Sequence, residues 1–598
     1  MNLQDARGLF KSLLGGIGVA FLLNMLCWIC GTQILQQSTA HAYVFMRSQQ
    51  SGAKVQWSKN ANLIFKANER NLSGLGSSSL FELFTKSLNR LKQASFNGFS
   101  FTYYQGQDPS VFPNSTVGGG DNLIYFTSHA PASERLPCGT LAVTSVWFQP
   151  SNGQISKVDL RFNDLCYQFT TNPQDTQNGG SKVFIQDVIT HEMGHALGLD
   201  HSQNSLSSML FTAAKEMSKP SCDDKAALMQ LYAPSSIQSQ IGTLTGNVLT
   251  PSGTPIFGAH VQAIHLERGQ VLASALTDRD GSFSIGGLLS GNYTVLIEPY
   301  YPGSGTLGAY YSSLFTQVCN GYQFERTFVK ETPYLVKTFL VNPQASTNIG
   351  PVTVQCTPPQ ALPGSPESTL QSAPVLPFNS PTIAVQSVMN LNWSGSAHHY
   401  YRINQQSGAL KISALSFSLG SPVDLEVEVL NSAGNLISQQ KNPNTFNSQT
   451  SGFTQYDADT RVNLTSTQNI FIHVASKGNI SFTAFPMGNI GVSSQPYYLL
   501  SISKEAPNNN TLFSEHPLCD EGDNFEPYPN QGTPGTPTDS RTPGSDNNPS
   551  QNENQPTGCG TIRKDSSGNF NSIAFLNFLT LFSMLLVSHK MIRKKFPA

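Results

Sequence analysis

Residues 191–201 read His-Glu-Met-Gly-His-Ala-Leu-Gly-Leu-Asp-His, and no other stretch constrains the fold of this chain as strongly. Histidines four positions apart on a helix lie one turn apart on the same face, so His191 and His195 can offer both imidazoles to one metal ion. Glu192, beside the first of them, is placed to hold and deprotonate a water at that ion. Gly198 lets the chain leave the helix in a conformation open to a residue without Cβ. The turn then returns His201 as a third ligand and leaves a fourth position for water. Three histidines with one open position suit a catalytic zinc rather than a structural one. A short His-Glu-x-x-His occurs by accident on surface helices, whereas the full spacing with a methionine downstream is much harder to meet by chance.

Upstream, Phe184, Ile185, Val188 and Ile189 form a helical stripe that runs into the motif, with Ser181 after two glycines as a candidate N-cap. The motif therefore belongs to the second half of a core helix. The eleven-residue pattern is the long zinc signature of the metzincin peptidases, and its surroundings resemble the matrixin branch. Ser202 follows the third histidine as it does there, and Met209 stands where the family's Met-turn is expected, eight residues after His201. Residues 221–232, with Asp223, Asp224 and a closing Leu231-Tyr232, look like the matrixin C-terminal helix. Trp57 and residues 62–66 resemble its first strand and residues 79–91 its first helix, with further strands at 99–104, 123–127, 141–148 and 158–163.

The resemblance covers residues 55–233 and implies an α+β peptidase domain with protein or peptide substrates. By the same resemblance, His191, His195 and His201 hold one zinc and Glu192 is general base and acid. Met209 forms an apolar floor, and the edge strand at Leu141 and Ala142 pairs with the substrate backbone. Two departures stand out. Of the four positions that hold a second, structural zinc in vertebrate relatives, His129 alone matches, with Pro131, Val143 and Leu160 at the others, so no structural zinc is expected. The Pro-x-Tyr that walls the specificity pocket is replaced by Phe211-Thr212-Ala213.

At 598 residues the chain has room for three or four domains. Only 12% of it is charged, against about 25% in an average soluble protein, and its net charge of −2 argues against a nucleic-acid partner. Arg7 and Lys11 precede an apolar run at 13–29, and Ala40-His41-Ala42 forms a small-x-small cleavage site, so residues 1–42 read as a signal peptide. Seven cysteines follow it: Cys138, Cys166, Cys222, Cys319, Cys356, Cys519 and Cys559. In an oxidising compartment they are expected to form disulfides. Cys138–Cys166 and Cys319–Cys356 are candidate pairs, though connectivity stays open. Leu136-Pro137-Cys138-Gly139 faintly resembles a cysteine switch, but it follows the first three strands instead of preceding the domain, which favours a disulfide.

After Tyr232 the pattern turns to alternating apolar and polar residues between Gly, Asp and Pro turns. Residues 241–345 are similar to carboxypeptidase-regulatory-like β-sandwiches. Asp278, Asp280 and Gly281 there look like the start of a calcium loop, but the further ligands and the Glu at position twelve are missing. A hairpin turn is the better reading, and calcium stays open. Residues 346–385 read as a linker, and 386–505 as a second all-β sandwich resembling the pre-peptidase C-terminal type. Residues 506–557 are too polar to bury a core and read as a disordered stalk. Residues 558–598 combine a Cys559 motif, an apolar run at 573–588 and a basic tail of Lys590, Arg593, Lys594 and Lys595. They look like the sorting tails of bacterial surface proteins and imply a membrane partner. The chain thus reads as a secreted or surface-anchored zinc endopeptidase. The alternative is a surface adhesion protein whose peptidase domain is minor or vestigial, and oligomeric state stays open.

Overall fold

Parallel neighbouring strands need a crossover long enough to return over the sheet. Asn62–Asn68 (β1), Ser77–Ala94 (α1) and Ser100–Tyr104 (β2) form such a unit, with Leu63 opposite Phe101. Leu80, Phe84, Leu88 and Leu91 recur at helical spacing in α1, and all four are buried. Asn122–Phe126 (β3), Thr140–Phe148 (β4) and Ile155–Phe162 (β5) complete a sheet in the order β2-β1-β3-β5-β4. Among these, β4 is antiparallel to its neighbour because a short turn joins it to β5. The backbone of Gly558–Asp565 adds a parallel strand to the outer edge of β4, leaving a register shift opposite Leu141 and Ala142.

The structure, a computed structural model, describes residues 44–106, 121–176, 182–204, 207–211, 217–300, 307, 309–311, 324, 326–332, 335–356, 369–378, 382–388, 398–416, 419, 421, 423–440, 457–479, 497–504 and 558–565. The expected signal peptide, the stalk at 506–557, the apolar run at 573–588, Cys319, Ser181 and Thr212-Ala213 lie outside the described residues.

Gln168–Thr170 (β6) and Lys182–Phe184 (β7) pair in parallel, and Ile185–Ala196 (α2) begins directly after them. This corrects the helix start expected near Ser181. The backbone of residues 182–184 bonds to β6 instead of starting a helix, and Phe184 takes the N-cap position without a side-chain cap. α2 packs against α1, where Ser87 Oγ and Thr190 Oγ1 meet at 2.9 Å inside the core. Cys222–Tyr232 (α3) opens with a capping box in which Ser221 and Asp224 satisfy each other's backbone N–H.

Gly242–Leu249 (β8), Ala259–His265 (β9), Gln270–Leu276 (β10), Ser282–Leu288 (β11) and Gly291–Pro299 (β12) build the next module. Thr327–Phe328 (β13), Phe339–Val341 (β14) and Ser346–Thr353 (β15) complete its two sheets, ordered β10-β9-β12-β13 with β14 on β12, and β11-β8-β15. The linker expected from residue 346 therefore begins later. Ile349 and Val352 turn inward from β15, and Pro351 is tolerated because this strand lies at a sheet edge.

Thr382–Val388 (β16), His398–Leu415 (β17), Val423–Asn431 (β18), Leu436–Gln440 (β19), Ala458–Asn479 (β20) and Tyr497–Lys504 (β21) form one six-stranded sheet in the order β16-β21-β17-β20-β18-β19. Its long β17–β20 ribbon breaks register between Ile403 and Gly408, where Gln405 and Gly408 adopt positive φ. Ile403 on one side of the break and Leu410 and Ile412 on the other all enter one core. Ile264, Leu296 and Phe328 share a second apolar cluster with Leu415, Tyr497 and Leu499, which joins the two β modules. No helix among the described residues is long and apolar enough to cross a membrane.

A disulfide joins Cys138, ahead of β4, to Cys166, after β5, across a sequence separation of 28. Cys222 and Cys356 are also disulfide-bonded. Closing a loop of that length restricts the unfolded chain by about 3–4 kcal/mol. Replacing Cys138 and Cys166 together by Ser should lower the denaturant midpoint of the first module by a corresponding amount. An unchanged midpoint would show that the bridge adds nothing to the fold.

Candidate active site

A single helix cannot surround a metal ion, so the site depends on how the chain leaves α2. The helix ends at Leu197, and Gly198 follows at φ 96°. A Cβ on Gly198 would lie 2.0 Å from the Val55 carbonyl oxygen, so no larger residue fits this turn. The free carbonyls at the helix end find partners: Trp57 Nε1 donates to Ala196 O (2.9 Å) and the Tyr232 hydroxyl to Leu197 O (2.6 Å). Met46 N donates to Gly198 O (2.9 Å) and Asp200 N to Val44 O (2.5 Å). The N-terminal segment thus clamps the turn that carries His201.

The result is three buried imidazoles facing one point. Ring centroids lie 4.7 Å apart for His191 and His195, 4.8 Å for His195 and His201, and 5.4 Å for His191 and His201. His195 Nε2 and His201 Nε2 are 3.2 Å apart. Two nitrogens, each about 2.0–2.1 Å from one tetrahedral zinc, would stand about 3.4 Å apart. His191 Nδ1–H donates to Ser208 O (2.7 Å) and His195 Nδ1–H to Leu199 O (2.8 Å), which leaves both Nε2 atoms as lone-pair donors toward a metal. His191 Nε2 is buried with no hydrogen-bond partner. Burial, with His201 nearby, pushes the His191 pKa down to about 3, so the ring is neutral as a ligand must be. Among the described residues, these three histidines are the cluster of three or more groups able to hold a metal, and their donor atoms lie within 4.8 Å of one another.

Glu192 is buried beside this cluster. Thr144 Oγ1, from the middle of β4, donates to Glu192 Oε2 at 2.5 Å. Sequence reasoning missed this partner, although a hydroxyl residue inside the apolar run of β4 was a usable signal. Met209 lies under the motif helix, where a Cβ on Gly194 would be 2.2 Å from its sulfur. The Met209 loop hangs on Asp224, which accepts from Ser207 Oγ (2.6 Å), Ser208 N (2.8 Å) and Ser208 Oγ (2.8 Å). Phe211 meets the His201 ring edge-on at 5.1 Å.

Leu141 and Ala142 sit buried at the start of β4. His129 is exposed on a short 3-10 turn, while Val143 and Leu160 are buried in the sheet. The stretch from Asp278 to Gly281 is a turn closed by Gly281 N to Asp278 O (2.9 Å). Tyr310 donates to the Asp278 carboxylate, and Ser282 N and Oγ donate to that of Asp280 (3.0 and 2.6 Å).

Comparison with known families agrees with this geometry. Residues 40–233 match the family model described as Matrixin, and residues 243–306 match the carboxypeptidase regulatory-like domain. The fold and site define a zinc-dependent metallopeptidase. More narrowly, residues 40–233 form a matrixin-type metalloprotease domain, and a carboxypeptidase regulatory-like domain follows at 243–306. Its downstream part is mostly β, and its substrates are peptides or proteins. No curated protein matches the chain. A solved pre-peptidase C-terminal domain of a collagenase from Bacillus anthracis is similar at 12% identity, covering 23% of this chain and 99% of its own. Its TM-score of 0.15 supports no statement about the fold here.

The hydroxyl of Thr144 is expected to hold the Glu192 carboxylate in its working orientation. Thr144→Val should lower kcat about tenfold or more while leaving KM and zinc content unchanged, and Thr144→Ser should restore most of the rate. Equal kcat in the Val variant would remove the hydroxyl from the account.

Proposed function

We propose that the protein is an exported zinc endopeptidase in which His191, His195 and His201 hold the ion and Glu192 moves the proton. The observation that carries this reading is the convergence of three buried imidazoles beside a buried carboxylate. A zinc ion held there supplies Lewis acidity toward water and toward the carbonyl oxygen of a peptide bond. Glu192 takes the proton of the attacking water and passes it to the leaving amine. Thr144 keeps the carboxylate aimed, and Met209 closes the floor beneath the histidines. The substrate backbone would pair with β4 at Leu141 and Ala142, which requires the strand Gly558–Asp565 to leave that edge.

Export is supported by Arg7, Lys11, the apolar run at 13–29 and the Ala40-His41-Ala42 site, together with the disulfide at Cys138 and Cys166. The apolar run at 573–588 before Lys590, Arg593, Lys594 and Lys595 supports anchoring at the cell surface.

The purified chain should cleave a protein mixture, lose that activity to a chelator and regain it with zinc. Glu192→Ala should keep the fold and the zinc but lower hydrolysis at least about a hundredfold, the lower range for loss of a general base. Wild-type turnover in that variant, or chelator-resistant cleavage, would refute the reading.

A further inference from the structure

His191 and His195 are held by the hydrogen bonds of their own helix, but His201 lies on irregular backbone and needs other partners to fix it. Those partners extend into the accessory module. Ser202 Oγ, one residue after the third histidine, donates to Asp223 Oδ2 (3.0 Å). Asp223 Oδ1 accepts from the backbone N (2.7 Å) and the hydroxyl (3.1 Å) of Ser274 on β10. Gln203 reaches the module directly: Nε2 donates to Glu298 Oε1 (2.8 Å) and to Pro299 O (3.2 Å), which uses both amide hydrogens. Ser202, Gln203, Asp223, Ser274 and Glu298 are all buried, so these bonds have no water to compete with them.

Glu298 is itself fixed from within the module. Arg326 meets Oε2 at 2.7 Å and His260 Nδ1 meets Oε1 at 3.0 Å. Burial raises the Glu298 pKa, but Arg326 and His260 outweigh it and bring the carboxyl down to about 2, so it stays an ionised acceptor. On the other side of the segment, Val44, whose carbonyl receives Asp200 N, packs with Phe257, Leu276 and Tyr300 of the same module. The residues from Asp200 to Gln203 are therefore held on both sides by contacts that lead into β9, β10 and β12.

We propose that the accessory β module is a working part of the metal centre: Ser274 and Glu298, through Asp223, Ser202 and Gln203, position the segment that presents His201. They are positioning residues and do not touch the ion. The inference rests on the zinc reading above. It makes the peptidase and the module one functional unit, with the module setting how firmly the third ligand is held. Groups that orient metal ligands typically change metal affinity 10–100-fold when removed.

The test uses the full chain loaded with zinc, with Gln203→Ala, Ser274→Ala and, as a control on an exposed turn of the same module, Thr254→Ala. Zinc release to an excess of a chromogenic chelator is timed, and amide hydrogen exchange is measured in the zinc-free proteins. Gln203→Ala and Ser274→Ala should release zinc on the order of ten times faster than wild type. They should also exchange faster at residues 199–203 while α2 stays protected, and Thr254→Ala should match wild type. Wild-type release and exchange in both variants would overturn the proposal. So would faster exchange throughout α2, since that means general loosening. A wild-type chain that holds no zinc would instead overturn the underlying zinc reading, so the two failures are distinguishable.

Discussion

The candidate metal site depends on one close approach, the passage of Gly198 against the Val55 carbonyl. A Cβ at that position would overlap the oxygen at 2.0 Å, so the turn exists only with glycine. Everything that places His201 follows from it. The chain reverses after α2, bonds to the strand-like segment 44–46, and delivers a third imidazole to the face where His191 and His195 already stand. The terminal carbonyls of α2 go to Trp57 and Tyr232, residues 139 and 35 positions away from their acceptors. The first and last parts of the peptidase module therefore meet at the end of one helix.

Burying three imidazoles carries a cost, which the fold offsets in part by fixing two of the rings. Carbonyls of Ser208 and Leu199 hold the Nδ1 protons of His191 and His195, which settles the tautomer and points the lone pairs inward. The carbonyl of Ser208 is available because Asp224 anchors that loop, and Asp224 is also the capping-box residue of α3. One carboxylate thereby couples helix initiation, the methionine loop and the His191 ring. The neighbouring Asp223 does the corresponding work toward the accessory module.

The site was legible where its chemistry is local in sequence. Spacing alone marked His191, Glu192, His195, Gly198 and His201, because helix geometry converts an offset of four residues into a shared face. The helical stripe of residues 80–91 was legible for the same reason. What stayed hidden is non-local. Thr144 meets Glu192 across 48 residues, and Gln203 meets Glu298 across 95, so neither pair leaves a pattern in any short window. Residues 182–184 stood between the expected N-cap at Ser181 and the helical stripe that begins at Phe184, yet became strand because they pair with β6. β15 read as linker because Ser, Thr, Asn and Pro dominate it, and only Ile349 and Val352 betray its buried face. The strand Gly558–Asp565 on the edge of β4 had no sequence signature, since its partner lies more than four hundred residues earlier.

X-ray absorption spectroscopy of the zinc-loaded chain tests the central claim most directly, because it reads the ligand set without relying on turnover. The account predicts three imidazole nitrogens and one oxygen at about 2.0–2.1 Å, with one imidazole lost in His201→Ala. A sulfur scatterer at about 2.3 Å, or an unchanged imidazole count in that variant, would contradict it.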